Sequence, residues 1–345
     1  MKSLEELANW SSTDLPSLLT QVILTEVEEA ARARRFGRSL VSINEDLVRT
    51  KGRSIVFYRR GTLTAAAVQE GATPGGNTIT YSPYTLTVSK YAVCAKITQE
   101  AIDGSNLDLI RDTIKEAGIA LADKEDNVIL DCLIGEESTI TIEAVSAVDG
   151  GTTSLGHSPV TYLELTTGGQ TLTVDYYNGV VVAGDTANAF TVSYYWSDRT
   201  NYVDAATEGT FAYVDIINTA NVIRGKKWEP DFMLVHPDQM HMLLKNSQFI
   251  DASKYGAREP LLRGEIGQIS NIRVLVSTNM TTGNAMIISS KRSAKLAIKR
   301  HVDLKRWDNP STDSIELYFY MEYGAQVTDE DAVCLLVGGG NITVT

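Results

Sequence analysis

The sequence predicts an α+β protein built from several parts, and three observations carry that prediction. Apolar residues recur every three and four positions from Leu107 to Cys132, as one long helix requires. Between Ser138 and Tyr202 the chain becomes rich in Thr, Val, Tyr and Gly and alternates with period two, as short strands require. Between Gly52 and Thr98 it reads "GRSIVFYRRGTLTAAAVQEGATPGGNTITYSPYTLTVSKYAVCAKIT", two strands around a Gly- and Pro-rich tip with little beside them to pack on. A two-stranded ribbon alone is marginal in water. Something else must hold this one.

Composition bounds the rest. With 345 residues, 43% of them hydrophobic, the chain can bury cores for two or three domains. A net charge of −12 speaks against tight nucleic-acid binding. Cys94, Cys132 and Cys334 are scattered, odd in number and set in apolar stretches, so buried thiols are expected rather than a disulfide frame or a zinc site. No window approaches ~18 uninterrupted apolar residues, so no membrane span is expected. Glu5 and Glu6 follow Met1 and Lys2 without an apolar stretch, so no Sec signal is expected and the chain is read as made in a reducing cytoplasm.

Taken in order, residues 1–14 are polar. Ser12, Thr13 and Asp14 precede Pro16, a helix start, and Leu19, Val22, Ile23, Val27 and Ala30 follow at helical spacing until Gly37. The ribbon comes next. Ile55, Val56, Phe57 and Tyr58 open its first strand, Arg59 and Arg60 lead into Thr62–Val68, and Gly71, Pro74, Gly75 and Gly76 make the tip. The return strand alternates Ile79 and Tyr81, then shifts phase at Ser82-Pro83 to Tyr84, Leu86 and Val88. Proline there is expected to remove a ladder bond, hence a bulge or an edge. Strands of about sixteen residues at ~3.3 Å each would reach ~50 Å.

Gly104, Ser105 and Asn106 introduce the long helix, ~40 Å at about 1.5 Å per residue, whose Asp and Glu residues are read as a solvated face. From Ser138, "VTYLELTT", "QTLTVDYY" and "AFTVSYYWS" read as strands of a small β-sandwich or barrel set into another domain. Phe211–Ile223 is a helix closed by Gly225, and "DFMLVHPDQMHMLLKN" is a buried strand followed by a helix starting at Pro237. The remainder, through "SIELYFYMEYGAQVTDEDAVCLLVGG", is read mainly as strands.

No set of residues points to chemistry. His236 and His241 are five apart and so on different helix faces. HExxH, CxxC, a phosphate loop and a nucleophile elbow do not occur. "GATPGGN" lacks the Lys-Ser/Thr and the following helix that a phosphate cradle needs, so it is a hairpin tip. No catalytic residue, metal or cofactor is expected. The densest basic cluster, Lys299, Arg300, Lys305 and Arg306, is read first as strand-edge charge pairing between subunits and second as a DNA contact.

The order of parts, together with "RRGTLTAAAVQEGATP", "ITQEAIDGSNLDLIRDTIKEAGIALADKEDNVIL", "PDFMLVHPDQMHMLL", "GEIGQISNIRVLVSTNM" and "YFYMEYGAQVTDEDAVCLL", resembles the HK97-type major capsid proteins of tailed bacterial and archaeal viruses. That resemblance covers nearly the whole chain apart from 136–205. It implies an N-terminal arm (1–45), an extended E-loop (46–92), a P-domain (93–135 and 286–345), an inserted β domain (136–205) and an A-domain (206–285). It also implies a structural role, not an enzyme: a virion shell of hexamers and pentamers, assembled in the host cytoplasm around double-stranded DNA without sequence-specific binding. A portal and a decoration protein are further implied partners. About fourteen polar residues before the first helix are too few for a cleaved scaffolding segment, so a separate scaffolding protein or a processed chain is implied. Lys90 and Lys51 are poorly placed for a relative-type lysine–asparagine cross-link. Ile55, Phe57, Tyr81, Tyr84 and Leu86, with Arg59 and Arg60, would then anchor the ribbon to neighbouring copies, while the tip glycines let it bend. Two other readings are weighed: an encapsulin-type compartment, which shares the fold, and a β-rich adhesin or sugar-binding protein suggested by Tyr176, Tyr177, Tyr194, Tyr195 and Trp196.

Overall fold

The computed structural model describes residues 25, 27–28, 35–48, 50–65, 67–70, 73, 75–76, 78–104, 109–135, 141–145, 152–167, 172–183, 190–205, 211–245 and 268–338. Contacts group the chain into two units. One comprises Met1–Arg38, Ile43–Val128 and Leu296–Ala325; the other comprises Ser39–Ser42, Ile129–Lys295 and Gln326–Thr345.

The first unit is organised by a four-stranded sheet, in the order β1 (Ser42–Asn44), β16 (Ala294–Asn309), β17 (Ser314–Val327), β4 (Ser89–Thr98), numbering strands along the chain. In β17, Leu317, Phe319, Met321 and Tyr323 are buried, and Glu316, Tyr318, Tyr320 and Glu322 alternate with them. β4 pairs with β17 along its full ten residues, from Ser314↔Thr98 to Tyr323↔Ser89. The ribbon is a separate two-stranded sheet of β2 (Ser54–Arg60) and β3 (Tyr81–Thr87). β3 passes into β4 with only Val88 between them, so the return strand is one extended run that changes partner. At that change β17 comes so close that a Cβ on Gly324 would lie 2.1 Å from the Thr87 carbonyl oxygen.

The ribbon is shorter than its sequence suggests. Thr62–Val68 and Ile79 were expected in strands, yet the ladder stops at Arg60 and Tyr81. Of the bulge or edge expected at Pro83, the structure gives the edge, since β3 is an edge strand of a two-stranded sheet. The bonds Gly61 N–H to Thr80 O and Val88 N–H to Arg53 O make Arg59↔Ser82 and Phe57↔Tyr84 the hydrogen-bonded pairs, and Tyr58↔Pro83 falls between them. Proline therefore sits where no ladder donor is needed, and the register runs straight through it.

α1 (Gly37–Leu40) and α2 (Gln99–Gly104) are short; α3 (Leu109–Ile134) is the long helix, 26 residues or ~39 Å. Of the expected N-terminal helix only Thr25, Val27 and Glu28 are described; they are helical, and the rest of that expectation lies outside the described residues. Val27 is fully buried, its backbone oxygen 2.7 Å from where a Cβ on Gly118 of α3 would stand. The carboxylates of α3 are not all solvated. Glu125 and Asp126 are buried, because both fall on the stripe of Leu121, Ala122, Ile129 and Leu130. Glu125 lies 3.0 Å from Arg35 Nε and also pairs with Arg38. Asp126 accepts the backbone N–H groups of Phe36 at 3.2 Å and Gly37 at 3.0 Å. A buried carboxylate without such partners would be strongly destabilising. The arm supplies them.

The second unit holds a six-stranded mixed sheet, β11 (Tyr202–Asp204), β18 (Val333–Val337), β15 (Ala285–Ile288), β12 (Phe232–Val235), β14 (Ile272–Val276), β13 (Gln268–Ile269), in that order. α4 (Tyr213–Gly225) and α5 (Pro237–Lys245) cover it, and Ile216, Ala220, Ile223, Met233, Leu243 and Leu336 share its core. Ser270 and Asn271, both at positive φ, close the tight β13–β14 hairpin. The β-rich stretch forms two antiparallel three-stranded sheets. One is β5 (Thr141–Val145), β10 (Phe190–Trp196), β7 (Val160–Thr167); the other is β6 (Thr152–Ser154), β9 (Val180–Ala183), β8 (Leu172–Asp175). Phe190, Val192, Tyr194, Leu172, Val174 and Val181 are buried in them. Two edges of the expected division fall differently: Tyr202–Asp204 pair with β18, and Val333–Val337 join the six-stranded sheet rather than the four-stranded one.

Two outcomes follow from this packing. Burial, more than any charge, raises the Asp126 carboxyl from 3.8 to about 6. The folded subunit therefore holds this proton more tightly than the unfolded chain. Its contribution to stability is fully present below about 4 and is lost as pH rises through about 6. Asp126→Asn should thus flatten the gain in urea stability between about pH 7 and pH 5. Gly324→Ala should cost about 1–3 kcal/mol in the same assay, since the backbone of Thr87 cannot yield as a side chain would.

Candidate functional site: the ribbon and its root

Strand alternation divides the ribbon into two faces. Ile55 and Phe57 stand opposite Leu86 and Tyr84 on one, and Val56, Tyr58 and Arg60 opposite Thr85, Pro83 and Tyr81 on the other. The first face belongs to the subunit. Leu86 is 0% exposed and joins Leu47, Val88 and Ala297 in a small core, with Ile55 and Phe57 packed against it. Phe57 and Tyr84 stack at 5.5 Å between ring centroids. Lys299 Nζ donates to the Gly52 carbonyl and fixes the first strand at its foot.

The second face is open. Tyr58 is 67% exposed, Tyr81 59% and Val56 48%, and Leu63, Val68 and Ile79 continue the apolar exposure toward the tip. Of the residues the sequence singled out as anchors, then, Ile55, Phe57, Tyr84 and Leu86 lie on the inner face, while Tyr81 and Arg60 lie on the outer. Arg59, exposed, follows the phase of the inner face. Sequence reasoning missed Val56 and Tyr58 as outward residues: alternation sets them on the opposite face from Ile55 and Phe57, but which of the two faces is covered follows only from the pairing with Leu86 and Tyr84. Around Gly75 and Gly76 a Cβ would meet nothing within 4 Å; Gly71 and Pro74 lie outside the described residues.

The basic cluster is engaged inside the chain. Arg300 is 3.8 Å from both Asp303 and Glu322, Lys305 sits over the Tyr320 ring at 5.9 Å, and Arg306 Nε lies 2.9 Å from Asp308. Beside it on the outward phase of β17, Tyr318 donates to Glu316 at 2.6 Å, which pulls that carboxyl below its ordinary range. Cys94 faces Tyr318 across the ladder and is exposed, unlike the buried thiol expected, because it shares the outward phase of Ala92 and Lys96. Cys132 is partly buried and Cys334 buried. Among the described residues no group of three or more His, Cys, Asp or Glu could hold a metal ion, and no helix is long and apolar enough to cross a membrane.

Residues 82–336 match a family described as "Phage capsid protein". No curated protein matches the chain. Among solved structures, the capsid of cyanophage P-SCSP1u superposes with a TM-score of 0.60 at 12% identity, covering 88% of each chain. A structure from Mycobacterium phage Che8 gives 0.56 at 15% identity over 89% of this chain and 92% of that one. A virus-like particle from Pyrococcus furiosus gives 0.54 at 10% identity over 92% and 99%. These likenesses show the fold, which is that of HK97-type shells. They leave the two faces of the ribbon to be tested directly. Leu86→Ala should lower subunit stability by about 2–5 kcal/mol in urea unfolding, whereas Tyr58→Ser should change it by less than ~0.5 kcal/mol.

Proposed function

Because the chain belongs to the phage capsid protein family, we propose that its ribbon is a clasp, closed by neighbouring copies, in the shell this subunit builds. The family assigns the chain a structural role in the capsid of a virion. The observation that carries the finer reading is the divided ribbon: one face completes the subunit's own core, and the other holds Val56, Tyr58 and Tyr81 open. An open apolar face on a two-stranded ribbon is a contact surface. In an obligate assembly such contacts, summed over several neighbours, bury on the order of 2,000–5,000 Å². Head-to-tail contacts of this kind close into rings, which fits hexamers and pentamers of an icosahedral lattice.

Within that reading the shell encloses double-stranded DNA without sequence-specific contact, consistent with a net charge of −12. A separate scaffolding protein, a portal and a decoration protein complete the set of partners, and the chain performs no catalysis. The Pyrococcus particle shares the fold, so a compartment around other cargo is the second reading; the family match favours the virus.

Deleting 62–80 is the test. Among the described residues of 62–80 no ladder pair extends the ribbon beyond Arg60↔Tyr81, and the Gly61 N–H to Thr80 O bond is the backbone bond lost among them, so the shortened subunit should stay folded by circular dichroism and remain soluble. It should fail to form closed particles in electron micrographs. Particles of normal size and yield would refute the clasp.

A further inference from the structure

Charge is distributed very unevenly along this chain. Residues 136–205 carry nine carboxylates and a single base, Arg199, a net −8 out of the −12 of the whole. Arg199 is spent internally: its side chain is 10% exposed, donates to the Cys132 carbonyl at 2.7 Å and lies 3.7 Å from Glu330. The β-rich segment therefore offers solvent no cation. The ribbon is the reverse. From 51 to 87 it has Lys51, Arg53, Arg59 and Arg60 against Glu70 alone, a net +3.

The β-rich segment also has an open sheet face. On the β5–β10–β7 sheet, Tyr195 stands opposite Tyr162, and Ser193 stands between Ile142 and Glu164. These five share one face, on which the small Ser193 is buried among larger neighbours, Tyr195 is half-buried and Ile142, Tyr162 and Glu164 are exposed. Ile142 is 66% exposed and Tyr162 38%, and the tyrosine rings lie 6.2 Å apart. The ribbon's outer face is its chemical complement, with Val56, Tyr58 and Tyr81 beside Arg60 where the sheet has Ile142, Tyr162 and Tyr195 beside Glu164. The dimensions agree as well. Ribbon strands of seven residues span ~23 Å, and β7 has eight.

We infer that the outer face of the ribbon docks, sheet on sheet, on the Ile142–Tyr162–Tyr195 face of a second copy, with Arg60 directed to Glu164. Face-to-face packing of this kind buries the apolar rows ~10 Å apart between sheets. Opposite fields steer the encounter and fix its register more than they strengthen it. The acidic segments of like copies repel one another, and the net-positive ribbon offers complementary charge within the same lattice. This inference rests on the clasp reading and names the surface that receives the clasp.

Cysteine pairing tests it. In a Cys94→Ser background, Tyr58→Cys with Tyr162→Cys should give a ladder of cross-linked multimers on denaturing gels when shells are treated with a short bis-maleimide, because facing residues on sheets ~10 Å apart lie beyond the reach of a direct disulfide. Neither single variant should give one. Shells that form without a ladder, or a link confined to one chain, would overturn the inference. If the double variant assembles poorly, charge exchange decides. Arg60→Glu should cut particle yield at least tenfold, and adding Glu164→Arg should restore most of it; a folded double variant no better than the single overturns the docking. The deletion of 62–80 separates the two claims. If that deletion stops closure while pairing and exchange both fail, the clasp stands and its receiver lies elsewhere. If the deletion leaves shells intact, the clasp itself fails.

Discussion

The ladder between Ser89–Thr98 and Ser314–Tyr323 is what the ribbon hangs from. A two-stranded sheet cannot cover both of its faces, and this one covers a single face, at its root, with Leu47, Leu86, Val88 and Ala297. Beyond that root it keeps its direction because β3 and β4 are one extended run, and β4 is laddered along its whole length. The close approach of Gly324 to Thr87 marks the point where the run leaves one partner and takes the other. The same device gives the ribbon stiffness near its base, and among the described residues the ladder ends at Arg60↔Tyr81. A subunit built this way can fold alone yet present an unfinished surface.

Burial and exposure divide the chain's polar chemistry in a consistent manner. Where carboxylates are buried, at Glu125 and Asp126, the arm brings two arginines and two backbone donors to meet them. Where arginines and lysines are exposed along the outer strands, at Arg300, Lys305 and Arg306, each has a carboxylate or a ring beside it. The two extremes of net charge are the acidic β-rich segment, which carries −8 of the chain's −12, and the ribbon, which is net positive. Both places also leave apolar surface open, at Ile142 and Tyr162 and at Val56, Tyr58 and Tyr81. In an assembling protein such leftovers are the expected sites of contact.

Much of this was legible in the residues. The three- and four-residue period from Leu107 to Cys132 reports α3 because a helix repeats locally. Pro237 announces α5, and the alternation around "VTYLELTT" announces β7, for the same reason. What escaped is non-local. Tyr202–Asp204 could not be placed at the edge of the six-stranded sheet without knowing that β18, more than a hundred residues on, would lie beside it. Glu125 and Asp126 look like surface residues until Arg35, Arg38 and the turn at Gly37 are brought to them. Pro83 allows a bulge or an edge, and only the register, which sets it opposite Tyr58 between bonded pairs, decides for the edge. At the ribbon the type of residue was readable, but which face it served depended on a phase that only pairing fixes. One residue of slip exchanges the faces.

Hydrogen exchange tests the central claim most directly, comparing free subunits with assembled shells. A ribbon completed by other copies should show backbone amides of 62–80 exchanging nearly as in an unfolded chain in the free subunit. The same amides should become protected in the shell, while those of β4 stay protected in both. Equal protection of 62–80 in both states would mean that the subunit covers its own ribbon, and the account would be wrong.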